Sequence, residues 1–301
     1  MKNQRTRTII RKVREFIIER LLFLSSLISV FTTVAIIGVL FFESFQFFTR
    51  ISPLRFLTEL EWTPLFFEKS YGIWPLIAGT FTTSFIAMCV AIPFGLISAI
   101  YLSEYASPKF RTIAKPILEM LAAIPTVVYG YFALLFITPL LKNIIPGLPT
   151  FNALSAGIAM GVMIIPIVAS LSEDAMRSVP IAYREGGYAL GATRLQVSLK
   201  VVFPAALSGI TAALILAVSR AVGETMIVAI AAGQQPTLTV NPLESVATIT
   251  AYIVQVSLGD TPHGTIEYST IFVCGLTLFV LNLILNMISL VLKKRFQEFY
   301  E

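Results

Sequence analysis

The stretch YGIWPLIAGTFTTSFIAMCVAIPFGLISAIYLS, residues 71–103, carries no Asp, Glu, Lys or Arg over 33 positions. In hydrocarbon such a run has one open-chain solution, the α-helix, which satisfies its own backbone N–H and C=O groups. About 20 residues at 1.5 Å each cross the bilayer core, so this stretch holds a tilted span and an interfacial turn. Runs of the same kind lie on both sides of it. Leu21–Phe42 and Met120–Leu141 are each uncharged for 22 residues, and Asn152–Ser172 for 21 before the acidic pair Glu173 and Asp174. Val201–Ala232 is interrupted only by Arg220 and Glu224, and Tyr268–Leu292 is uncharged for 25. Six transmembrane helices are predicted. The prolines at 93, 125, 139 and 166 fall inside them, where neighbouring helices re-satisfy the freed backbone groups.

Composition agrees. Of 301 residues 56% are hydrophobic, and the 22 Lys+Arg and 17 Asp+Glu are about half the usual charged share, too few to coat a soluble protein. The net charge of +5 does not form a nucleic-acid surface, because the cations follow the membrane. Seventeen Lys and Arg lie in residues 1–20, the segments after the second and fourth spans, and the tail; four lie in the opposite connections. The positive-inside rule then places both termini in the cytoplasm. Segment 1–20 is basic, with Ile9, Val13 and Ile17 between charges, which fits a helix lying in the cytoplasmic interface before turning into the membrane. A frayed basic tail is the alternative. The first apolar run is too long for a cleaved signal peptide, and no small-residue cleavage site follows it. The transmembrane domain is taken as 21–292 and the cytoplasmic tail as 293–301.

Soluble enzyme chemistry is not expected. The chain lacks a GxxxxGK[ST] loop for nucleotide phosphates. Its single His263 has no ligand partner at metal spacing, and Cys89 and Cys274 lie in apolar spans as small hydrophobes. No nucleophile has a base near it in sequence, and neither a cofactor nor a metal is expected.

Two features carry function. The first, REGGYALGATRLQVSLKVVFP at 184–204, lies in the longest connection on the positively charged side, taken as 173–204. Its pattern suits a short helix–turn–helix on a soluble partner. Tyr188, Ala189 and Leu190 offer an apolar patch, Gly191 can take a positive φ, and Gly186 and Gly187 weaken the first helix by about 1 kcal/mol each relative to alanine. A solvated basic loop is the bland alternative. Glu185, Gly191 and Pro204 have the spacing of the EAA loop of ABC-transporter permeases, with Gly186 and Gly187 in place of its alanines, Val201 in place of Ile and Phe203 in place of Leu. The resemblance implies ATPase docking by Glu185, Gly186, Gly187, Gly191, Ala192 and Pro204.

The second feature is Arg220 and Glu224 in SRAVGET, four apart and so on one face of the fifth span. An ionisable residue inside the membrane is a functional hypothesis by default. A guanidinium matches an oxyanion through two parallel hydrogen bonds, and Glu224 would balance it between anions. A structural salt bridge, or a shallow Arg220 snorkelling to the surface, are the alternatives.

ERLLFLSSLISVFTTVAI at 19–36, PLIAGTFTTS at 75–84, AIPTVVYGYFAL at 123–134, SRAVGETMIVAIAAG at 219–233 and HGTIEYSTIFVCGLTLFVLNLILN at 263–286 resemble the membrane subunit of phosphate-specific (Pst) ABC importers, PstC type. The resemblance implies an all-α, type I ABC-importer (MetI-like) permease fold of six helices in the cell inner membrane. It also implies a PstA-type sister permease, a PstB-type ATPase dimer, a PstS-type binding protein, and an anion path through Arg220 and Glu224. A PstA-type subunit, a permease for another oxyanion or solute, a secondary transporter and a structural or receptor membrane protein stay open.

Overall fold

A computed structural model describes the backbone of residues 2–297 and the side chains of Lys12 and residues 14–291; the end of the 293–301 tail and most side chains of the basic N-terminus lie outside these. Among the described residues the architecture is helical, with two isolated β-bridges, Trp62–Tyr71 and Gly233–Val246. Five helices are long and apolar enough to cross a membrane, and a bent pair makes a sixth.

Helix α1 covers Lys2–Arg50 without a break, so the expected turn from an interfacial segment into the span is not present. The physical reason is in the sequence: no Gly or Pro occurs before Gly38 to interrupt helix propagation. Helix α2, Pro53–Thr58, follows at once. Helix α3, Trp74–Ile100, continues through a π-helical turn at Tyr101–Tyr105, and α4 covers Pro108–Ala122. Helices α5, Thr126–Phe132, and α6, Thr138–Ile144, join through a second π-turn, Ala133–Ile137, into one span. That span was expected from Met120, but Met120–Ala122 close α4 instead. Pro125 lacks the N–H to continue that helix and disfavours helical φ/ψ at Ile124.

Helix α7, Ala153–Arg177, reaches beyond the expected end at Ser172, so the connecting element folds from Ser178 rather than Glu173. It consists of α8, Ile181–Ala189, then α9, Arg194–Val197, which runs through a π-turn at Ser198–Val202 into α10, Phe203–Ala205. The expected fifth span, Val201–Ala232, is not one helix. A 73° bend separates Arg194–Ala205 from α11, Leu207–Val222, and the short α12, Met226–Ala231, follows a second break. Pro204 withholds one backbone donor and the π-turn misaligns the ladder beside it, both recognised causes of a kink. The long connection after α12 is not an open loop. It contains α13, Ile249–Leu258, which packs on α14, Ile266–Gln297, with Tyr252 buried and its hydroxyl 2.9 Å from Thr270 Oγ1.

The bundle is built on α3 against α7. Lipid tails are as apolar as leucine, so close approach and dispersion must join these helices. Ala153, Gly157 and Gly161 recur every fourth residue along α7 and let the backbones meet. A Cβ on Gly157 would lie 2.6 Å from Ile86 Cβ, and one on Gly161 2.7 Å from Val90 Cβ. At the end of the bundle away from α8, Phe47, Phe56, Trp62, Tyr71 and Tyr252 stack edge to face and tie α1, α2 and α13 together.

Candidate functional site

The loop element folds as a helix–turn–helix. Pro180 precedes α8, and the chain reverses at Gly191, whose φ of +79° is strained for any residue with a Cβ. Thr193 then caps α9 in a capping box: Gln196 N donates to Thr193 Oγ1, and Thr193 N donates to Gln196 Oε1 at 2.8 Å. Both Gly186 and Gly187 lie inside α8; Gly186 faces open space, while Gly187 lies against Val197. The outer surface is apolar: Leu190 is 91% exposed, beside Ile181, Tyr183, Tyr188 and Leu195. Glu185 is exposed on the same element, Ala192 is half-buried, and Pro204 sits inside the bend that leads into α11.

This element is bolted to the bundle by charges that the sequence alone did not single out. Arg184 on α8 makes a two-pronged ion pair with the buried Glu104 at the end of α3, Nη2 to Oε1 at 2.8 Å and Nε to Oε2 at 3.3 Å. It also donates to the carbonyls of Val179 and Met176. The Arg194 guanidinium lies 5.0 Å above the Tyr105 ring. Beside them Glu173, fully buried, gathers Lys115 at 2.9 Å, Arg111 at 3.5 Å and Arg177 at 3.8 Å. Lys115 also pairs with Asp174; burial works against the Lys115 ammonium, but its bonds to Asp174 and Glu173 outweigh this and hold its pKa above the ordinary value. Glu119, one turn on, accepts from Ser170, so the polar face of α4 seals against α7. The available signal was the i, i+4, i+8 spacing of Arg111, Lys115 and Glu119.

The second site lies in the interior. Arg220 occupies the last turn of α11, Gly223 ends that helix, and Glu224 lies in the break before α12. The pair therefore straddles a helix break instead of sharing one helix face. Its closest approach, Nη2 to Oε2, is 4.0 Å. Glu224, 3% exposed at its side chain, spends its other oxygen on the first amides of α12, Met226 N at 3.2 Å and Ile227 N at 3.5 Å. Its carbonyl accepts from Thr250 Oγ1 at 2.6 Å, fastening α13 to the same point. Arg220 is 43% exposed, and Nη2 reaches Met163 Sδ at 3.9 Å. Met163 is ten residues from one end of α7 and fourteen from the other, about 15 and 21 Å along its axis. Arg220 therefore lies level with the middle of α7, well inside both ends of that helix.

A bundle of five or six helices long and apolar enough to cross a membrane defines a polytopic membrane protein. Residues 91–298 match the family described as binding-protein-dependent transport system inner membrane component, and the chain belongs to that family. It is an inner-membrane, multi-pass protein with the MetI-like type I ABC-importer permease fold. The chain is 34% identical to a probable ABC transporter permease protein, YqgH, of Bacillus subtilis, over 90% of this chain and 88% of that one. It is 31% identical to a probable phosphate transport system permease protein, PstC, of Methanocaldococcus jannaschii, over 99% of both. Among solved structures, a bacterial alginate ABC transporter in complex with a pentasaccharide-bound periplasmic protein aligns with a TM-score of 0.57 at 17% identity, covering 86% of this chain and 94% of that one. The MetNI methionine ABC transporter aligns at 0.53 and 20%, covering 75% and 94%. These likenesses bear on the fold alone.

Proposed function

We propose that the chain is the PstC-type permease subunit of an ATP-driven phosphate importer. In this reading residues 21–292 form the translocation domain, paired with a PstA-type permease, a PstB-type ATPase dimer and a PstS-type binding protein. The observation that carries it is Arg220: a cation level with the middle of α7, held at 4.0 Å by one carboxylate, touching Met163 Sδ, and with 43% of its side chain exposed. A lone charge there costs about 3 kcal/mol or more in lipid. A second permease subunit across a shared aqueous path removes that cost and leaves the guanidinium free for an oxyanion. Glu224, anchored by the α12 amides, is a fixed counter-charge that keeps the anion from binding too tightly. The relatives named as phosphate permeases support phosphate over other oxyanions.

Both termini, the 293–301 tail and the 178–204 element face the cytoplasm in this reading, as the distribution of Lys and Arg supports. An ATPase seated on Tyr188, Leu190 and Glu185 supplies the work, and this chain supplies path and lever. ATP-driven closure of the ATPases moves α8 and α9, the helices swing outward, and the binding protein delivers its ion. Release to the cytoplasm follows hydrolysis. The test is uptake of labelled phosphate by the reconstituted assembly. Wild type should require ATP and be inhibited by unlabelled phosphate far more than by sulfate, and Arg220→Gln should abolish uptake with the assembly intact. Near-normal uptake by that variant, or uptake without ATP, rejects the reading.

A further inference from the structure

Segment 53–70, between the first two spans, has two faces. Phe56 and Trp62 point into the aromatic cluster, whereas Leu54, Leu57, Leu60, Leu65 and Phe66 are exposed and Phe67 is fully so. Large apolar residues contiguous on a surface mark a partner. Two contacts fix the height of this surface against the spans. Trp74, the first residue of α3, donates from Nε1 to the Leu57 carbonyl at 2.7 Å. Lys69, at the base of the turn that carries Phe66 and Phe67, pairs with Glu267, the second residue of α14. Trp74 and Glu267 both sit in the first turn of helices long and apolar enough to span a membrane, and tryptophan concentrates at span ends. The segment also continues directly from α1, whose apolar side chains between Phe16 and Phe45, Phe31 among them, are mostly exposed.

From these placements we infer that residues 53–67 form a membrane foot: α2 and the Phe66–Phe67 turn lie in the interface of the leaflet opposite α8, with their leucines and phenylalanines among the upper acyl chains. The partner is a phospholipid surface. Arg55, Glu59 and Glu61 remain at the polar level, where Arg55 and Glu59 pair with each other. Nothing in this inference depends on the transported ion or on ATP, so it stands or falls separately from the proposed function.

The experiment places a nitroxide at Phe67→Cys and, separately, Leu57→Cys in the complete assembly in lipid nanodiscs, with Cys89→Ser in the background and Cys274 left buried. Collision with oxygen, which concentrates in lipid, is compared with collision with a water-soluble nickel chelate; Asp260→Cys is the aqueous control. The expected result is an oxygen-to-nickel ratio several-fold above the control at both positions, unchanged when the binding protein is added. A ratio equal to the control overturns the inference. So does exclusion of both reagents, which means a protein covers the patch, and so does a ratio that rises only with the binding protein.

Discussion

Arg184 and Glu104, eighty residues apart in the chain, meet in a two-pronged ion pair that fastens α8 to the π-turn continuing α3. The same guanidinium holds the carbonyls of Met176, in the last turn of α7, and Val179, just past it, so α8 is tied to the two helices that form the bundle's spine. A planar five-donor group suits this role, because a lysine in its place could not span both carboxylate oxygens and both carbonyls.

Removing one partner of such a pair leaves an uncompensated charge and costs about 3 kcal/mol or more. Glu104→Ala should lower the thermal stability of the purified chain by this order. Glu104→Gln keeps an acceptor for Nη2 and should fold better, yet raise the number of ATP molecules hydrolysed per ion moved. An unchanged ratio in an assembled Glu104→Gln complex would mean that the pair plays no part in transmission.

The glycines of the docking element should separate by position. A Cβ on Gly186 meets nothing, so Gly186→Ala should stabilise α8 by up to about 1 kcal/mol. Gly187→Ala places its methyl 3.0 Å from Val197 Cγ2 and should gain less or lose. Gly191→Ala forces a side chain to φ +79° and should cost about 1–2 kcal/mol. Chemical denaturation in detergent measures all three. Gly191→Trp, which projects bulk from the turn, should block recovery of the ATPase with the permease.

Glu173 is surrounded by Arg111, Lys115 and Arg177 at the seam of α4 and α7. Glu173→Ala should unseal that seam, losing about 3–5 kcal/mol through three cations left without their common anion. Protease nicking between residues 106 and 124 is the readout, and wild-type resistance in the variant would contradict this assignment.

Glu59 should make the membrane foot sensitive to acid. Burial alone would raise its pKa, but bonds from Tyr71 N, Ser70 and Arg55 outweigh this and hold it below the ordinary carboxylate value. A group whose folded pKa is depressed contributes stability above its unfolded pKa, about 4.3, and loses it as pH falls through the lower folded value. Hydrogen exchange at residues 60–72 should therefore accelerate below about pH 4, and in Glu59→Gln that dependence should vanish.

Where the reading from sequence held, local chemistry ruled. Uncharged runs of more than 20 residues must be helical in lipid whatever they touch, so the membrane class and most spans were legible. The turn at Gly191 followed from a residue type and its neighbours. The split of the fifth run was not legible, because apolar content does not register whether a helix is continuous. Pro204 and Gly223 were visible, but either is tolerated inside a membrane helix when its surroundings compensate.

The amino-acid order thus determined solvent, helicity, the family pattern and the presence of a membrane-embedded Arg and Glu. Tertiary structure alone decided that Arg220 lies level with Met163 near the middle of α7, that Glu224 spends one oxygen on a helix start, and that Glu173 meets Lys115 across 58 residues of chain and Glu104 meets Arg184 across 80. The reason is physical: hydrophobic transfer is summed along the chain and can be read locally. Charge pairing depends on distances in space, and only the packed helices set those.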